Sequence, residues 1–289
     1  LLKQPIPRAI FYQFLTVLLF VTMNFAVKYI SEDVNSVESL FFRNALSLVV
    51  ICLYIFLTKK YELFKTKKPM MHFKRSFSGN LGVLFVYMAY AMLPMADMTA
   101  LLSATPVVAS LFAFFMIGEK PRSLSWGFIF SGVLGVLIIA QPSGDVTLEG
   151  ILAAFAAISM FAWVAVQLRE MGRSENSVTT VFYFCLVGAL FSSPALLFME
   201  TLPTMESVLF LGLIGFCGLT SQLFKTESLK FIPVSIATPI THVGLVLAAI
   251  YGYVFWDDIP ESHVMIGATI IIISTICLVK YKERKVSNV

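Results

Sequence analysis

Charge is what this chain has least of: 13% of its 289 residues are Asp, Glu, Lys or Arg, against 58% hydrophobic. So little charge excludes a water-solvated surface over most of its length. Cysteine occurs at 52, 185, 217 and 277, each inside an apolar run, with no CxxC and no Cys/His cluster. A disulfide framework and a metal site are therefore not expected. No GxxxxGK or GxGxxG occurs in a soluble context, which argues against nucleotide hydrolysis and against a nucleotide cofactor. Short alternating strands, the mark of a membrane barrel, are also missing. No cofactor and no nucleic-acid partner is expected.

What fills the chain instead is a series of helix-length apolar runs, each able to satisfy its backbone inside lipid only as a helix. Ten are read, at about 8–30, 38–57, 76–93, 97–117, 123–141, 148–168, 177–199, 206–225, 233–254 and 259–280. The first is expected to be a membrane span and not a signal peptide, since it ends in Lys28-Tyr29-Ile30-Ser31-Glu32 without a small-residue cleavage site. The fold expected is an all-α polytopic membrane protein.

Alternate connections, around 31–37, 94–97, 142–149, 200–206 and 256–262, contain no Lys or Arg. The others hold nearly every one, most densely the 58–75 loop with Lys59, Lys60, Lys65, Lys67, Lys68, Lys74 and Arg75. By the positive-inside rule both termini and that loop are expected in the cytoplasm; the expected location is the bacterial inner membrane. Lying against anionic headgroups accounts for the loop better than a nucleic-acid patch does. A weak repeat at an offset of about 138 residues sets Glu119 against Asp257 and the fifth run against the tenth. With five spans per half the second half is inverted, so 1–144 and 145–289 are expected as two inverted five-helix repeats, an architecture of secondary transporters.

Lys28, near the end of the first span, and Arg43, about one and a half turns into the second, bring positive charge to hydrocarbon depth. Both are expected at the periplasmic side of a central cavity, attracting an anionic group, with Glu38 as the partner that holds Arg43 in the empty state; a helix-end clamp by Glu32 and Glu38 is the structural alternative. Tyr87, Tyr90, Trp163, Gln167, Gln222, Thr238 and His242 are expected to share that cavity, while the fifth and tenth spans carry almost nothing polar and act as scaffold. His242, the one mid-span histidine, suits anion binding or proton exchange. Pro106 and Pro239 each free a carbonyl one turn earlier, near Leu102 and Ser235, and are read as bends that gate the path.

The segments Glu38-Ser39-Leu40-Phe41-Phe42-Arg43-Asn44, Tyr90-Ala91-Met92-Leu93 followed by Ala100-Leu101-Leu102 and Pro106, and Gly118-Glu119-Lys120-Pro121 followed by Gly127, Gly132 and Gly135 resemble the EamA family of drug/metabolite transporters over the whole chain. The Glu-to-Arg segment is similar to the branch of bacterial S-adenosylmethionine uptake carriers and animal organic-anion carriers. Asp257 departs from the Glu that often ends the ninth span. The resemblance implies ten helices in two inverted repeats, both termini cytoplasmic, and a carrier, not an enzyme. A small anionic or zwitterionic metabolite, moved by alternating access with protons as a candidate coupling ion, is the expected partner besides lipid, and the state expected is monomer or homodimer. The competing readings are a lipid or polyprenyl-phosphate flippase and a membrane-embedded lipid-modifying enzyme.

Overall fold

The computed structural model describes residues 5–117, 123–139, 147–171, 175–199, 203–228, 231, 237 and 240–286. Among these there is no strand. The helices in chain order are α1 (Pro5–Tyr29), α2 (Ser36–Thr58), α3 (Pro69–Met92), α4 (Met95–Leu102), α5 (Thr105–Ile117), α6 (Ser123–Ile139), α7 (Leu148–Met171), α8 (Ser177–Ser192), α9 (Met205–Ser228), α10 (Val243–Trp256) and α11 (Ser262–Val286), with 3₁₀ turns at Tyr61–Phe64 and Ser193–Phe198. Five segments, Pro7–Tyr29, Ser36–Thr58, Leu148–Ala165, Ser177–Leu197 and Met205–Ser228, are long and apolar enough to cross a membrane, and four shorter apolar helices accompany them.

Local chemistry sets the ends. Asn35 caps α2, accepting from the Val37 and Glu38 N–H groups, while Glu38 Oε2 accepts from the Asn35 N–H at 3.1 Å, so two orphan ends are satisfied reciprocally. The same helix stops at Lys59, whose left-handed φ of 54° turns its N–H back onto the last carbonyls. Pro69 opens α3 at a position where its missing N–H costs nothing. Between α4 and α5 the helix breaks ahead of Pro106: the Leu102 carbonyl, which a residue-106 N–H would have taken, accepts instead from the Thr105 hydroxyl at 2.7 Å. The run read as one span at 97–117 is thus two helices.

Helices α3 and α7 pack together, as do α1 and α9, α6 and α11, and α2 with both α8 and α9; α3 also meets α8. Glycines permit the closest of these approaches. A methyl on Gly135 would sit 2.8 Å from the Gly267 carbonyl, and one on Gly267 would sit 2.7 Å from the Gly135 carbonyl, so the α6–α11 seam is backbone against backbone. One continuous core runs through the bundle, with Met23, Leu40, Tyr87, Tyr90, Met98, Ile158 and Ile214 fully enclosed. Outside, Leu57, Phe115, Leu134, Leu197, Leu209 and Phe216 are widely exposed. A surface this apolar is costly in water and ordinary against lipid tails.

A further expectation needs correction. The third helix starts at Pro69, not near 76, which draws His72 and Arg75 out of the loop and into the bundle. The physical reason is that Lys68 is followed by a proline that begins a helix readily, and the helix then presents His72, Ser76 and Asn80 on one buried stripe at i, i+4 spacing.

Candidate functional site

The densest buried polar group lies where α2, α3, α8 and α9 meet. Arg43 is 2% exposed; its Nη1 donates to Asn44 Oδ1 at 3.3 Å and its guanidinium carbon lies 5.2 Å from the centre of the Phe184 ring. Asn44 Nδ2 donates to Leu40 O and to Asn80 Oδ1, both at 2.9 Å, and Asn80 Nδ2 donates to Ser76 O at 2.8 Å and Phe184 O at 2.9 Å. The two amides therefore tie three helices through one chain of donors and acceptors. Ser47, whose hydroxyl lies 2.7 Å from the Arg43 carbonyl and 3.2 Å from that of Gly215, adds α9. Gly218 and Gly188 leave the room: a methyl on Gly218 would meet Arg43 Nε at 2.6 Å, and one on Gly188 would press on both amides. Tyr87, whose hydroxyl donates to Met23 Sδ at 3.4 Å, lies within electrostatic range of Arg43.

Among the described residues no carboxylate lies within 4 Å of Arg43, and its Nε has no hydrogen-bond partner. Glu38 does not hold it. Five residues along a helix is about 140° around it, so Glu38 faces away from Arg43 and is engaged in the cap. Burying a guanidinium without a counter-charge is expensive.

A second cluster surrounds Lys28. Its Nζ donates to Leu93 O at 2.8 Å and Tyr90 O at 3.3 Å, the free carbonyls at the end of α3, and lies 5.3 Å from the Trp256 ring. Glu32 makes no ion pair with it; α1 ends at Tyr29, so the helical i, i+4 spacing is never formed. Tyr90 Oη and Thr99 Oγ1 are 2.8 Å apart. Asn24 is fully buried, and neither of its amide atoms has a hydrogen-bond partner within 3.5 Å. At the adjacent end of the bundle a recess is lined by Asp97, Asp258 and Glu261 with Pro94 and Pro260, and both aspartates lie within electrostatic range of Lys28.

Lys28, Tyr90, Tyr87 and Arg43 thus fall on neighbouring faces of α1, α2 and α3. Trp163, Gln167, Gln222 and His242 are half-buried on or beside α7, α9 and α10, and among the described residues no hydrogen bond or ion pair joins them to that group. Gln167 Oε1 and both ring nitrogens of His242 have no hydrogen-bond partner. Thr238 and Pro239 lie outside the described residues. Sequence reasoning passed over Arg75, Asn44, Asn80 and Phe184. The His72, Ser76, Asn80 stripe was the available signal, hidden because the basic loop was read as running to 75, which cut His72 off from Ser76 and Asn80.

The EamA-like transporter family model matches residues 7–141 and again 148–280. The chain belongs to the EamA-like transporter family. Relatives of this EamA-like chain include the pseudopaline exporter CntI of Pseudomonas aeruginosa, 26% identical over 268 residues covering 91% of this chain and 93% of that one. An S-adenosylmethionine uptake transporter of Rickettsia bellii is 25% identical, covering 89% and 88%. Solute carrier family 35 member G1 of Mus musculus is 26% identical, covering 94% and 78%. A solved crystal structure at 16% identity, covering 97% of this chain and 99% of its own, superposes with a TM-score of 0.67 and shares the fold. The EamA-like chain is therefore a multi-pass membrane transporter for a small-molecule metabolite, and not an enzyme.

Proposed function

We propose that this chain is a secondary transporter of a small anionic or zwitterionic metabolite, working by alternating access between two inverted five-helix repeats, 1–144 and 145–289, with both termini in the cytoplasm of a bacterium. The observation that carries the substrate class is Arg43, a buried guanidinium with an Nε lacking a hydrogen-bond partner and, among the described residues, no carboxylate within 4 Å. A substrate carboxylate or phosphate supplies the missing charge and the missing acceptor together. The carriers of S-adenosylmethionine and pseudopaline among its relatives support an amino-acid-derived solute.

The repeat is supported by two observations. The family model matches twice in tandem. An exchange of halves turns the α3–α7 contact into α9–α1 and the α2–α9 contact into α8–α3, and leaves the α6–α11 and α2–α8 contacts as themselves. Such a pattern of contacts suits a pseudo-two-fold axis lying between the halves.

The test is uptake into proteoliposomes of S-adenosylmethionine and a panel of organic anions, with and without a pH gradient. Arg43→Gln is expected to lower transport about tenfold or more with the protein still folded, and Arg43→Lys to retain part of it. Wild-type transport by well-folded Arg43→Gln protein would remove the basis of the anion reading.

A further inference from the structure

Arg75 is the group the transport reading does not use. It is 5% exposed on the third helix; Nη1 donates to Thr180 O at a long 3.5 Å and Nε has no partner. Its guanidinium carbon lies 5.4 Å from the centre of the Phe184 ring, the same ring that Arg43 approaches to 5.2 Å. The sum of those separations, about 10.6 Å, is the most that can divide the two cations. Arg75 likewise has no carboxylate within 4 Å among the described residues. The acids nearest the start of α8 are engaged elsewhere: Glu175 accepts from Thr66 and meets His72, and Glu227 accepts from Ser177.

We propose that Arg43 and Arg75 form one anion site at the Phe184 ring, and that it takes a solute carrying two negative charges, a dicarboxylate or a phosphate monoester. Two buried guanidiniums cost far more than the ring contacts return, since a cation over an aromatic face contributes about 0.5–2 kcal/mol and an unpaired buried ion costs several. A singly charged ligand leaves one of them uncompensated. A separation up to that bound can be spanned by two carboxylates on a short spacer, each facing its own guanidinium, and one well inside it by a single phosphate between the pair. The free Nε of each arginine is the donor such oxygens would accept from. As a refinement of the proposed function, this inference rests on the anion being the transported solute.

Thermal unfolding of the purified full chain in detergent, at constant ionic strength, tests it with succinate, inorganic phosphate and butyrate. Succinate or phosphate is expected to raise the unfolding temperature at concentrations where butyrate, of succinate's chain length with one charge, has no effect. Arg75→Gln should abolish that preference and weaken binding of the dianion about tenfold or more, while Arg75→Lys keeps part of it. Should Arg75→Gln fail to fold, the charge preference of the wild-type protein and its weakening in Arg75→Lys carry the test. Equal stabilisation by one and two charges, stabilisation by none of the three, or a dianion affinity unchanged in Arg75→Gln would overturn the proposal. Proteoliposome uptake separates the two layers: dianion binding without uptake sinks the transport reading and leaves the site, whereas uptake indifferent to charge number sinks the site and leaves the transporter.

Discussion

Replacing Gly188 by alanine is the sharpest probe of the amide junction between α2, α3 and α8. The added methyl would lie 2.5 Å from Asn44 Nδ2 and 2.6 Å from Asn44 Cγ, and in contact with Asn80 Oδ1, so the Asn44–Asn80 hydrogen bond cannot survive in place. Overpacking a tight site costs about 1–3 kcal/mol, and leaving buried amide groups unsatisfied about 1–3 kcal/mol more. Alanine returns about 1 kcal/mol through its better helix propensity. A net loss of about 1–5 kcal/mol is expected, read from reversible unfolding in mixed micelles. In a background carrying both Asn44→Ala and Asn80→Ala the atoms opposing the methyl are gone, and the same substitution should cost under about 1 kcal/mol. The reasoning is refuted if Gly188→Ala costs the same in both backgrounds to within about 0.5 kcal/mol, because contacting groups must couple.

The other predictions concern the ends of the bundle. Glu38→Gln should leave substrate affinity unchanged and stability within about 1 kcal/mol, since glutamine serves equally in a capping box; a large change in affinity would restore Glu38 as the partner of Arg43. Lys28→Met should destabilise by about 1–3 kcal/mol by stranding the Tyr90 and Leu93 carbonyls, with Lys28→Arg recovering part, measured by the same unfolding assay. Glu175→Gln weakens the hold of α8 on the basic loop, where Glu175 meets His72 Nε2 at 3.2 Å and Thr66 at 3.2 Å; trypsin should cut between Lys59 and Lys68 several-fold faster, and an unchanged rate would count against that hold. In a cysteine-free background, Thr66→Cys should label from the cytoplasm and Glu261→Cys from the opposite side, and the reverse pattern would invert the orientation.

The helical class and most span positions were legible because lipid permits few alternatives and apolar runs mark them. Lys28 and Arg43 stood out for the same reason: charges in hydrocarbon are conspicuous. Arg75 did not, because Lys74 beside it and five lysines before it make the helix start look like more of the same loop, and only the fold reveals that it turns inward while Lys74 stays exposed. Asn44 and Asn80 read as isolated amides in apolar sequence until α8 brings the Phe184 carbonyl to them. Glu38 misled for a geometric reason, since proximity in sequence to Arg43 is not proximity around a helix.

The helix pairing carries a consequence for how the chain is made. Since α1 packs on α9, α3 on α7 and α8, and α6 on α11, the first half leaves the ribosome with its polar stripe facing partners that have not yet been synthesised. Asn80, Arg75 and Ser47 then lack the Phe184, Thr180 and Gly215 carbonyls that later meet them. The nascent first half must be sheltered by the insertion machinery or by water at the bilayer surface until α7 to α9 arrive, so quality control has a long interval in which to act. Expressed alone, residues 1–144 should be degraded; supplied with 145–289 as a separate polypeptide, the same fragment should persist and co-purify, each half serving as the chaperone of the other.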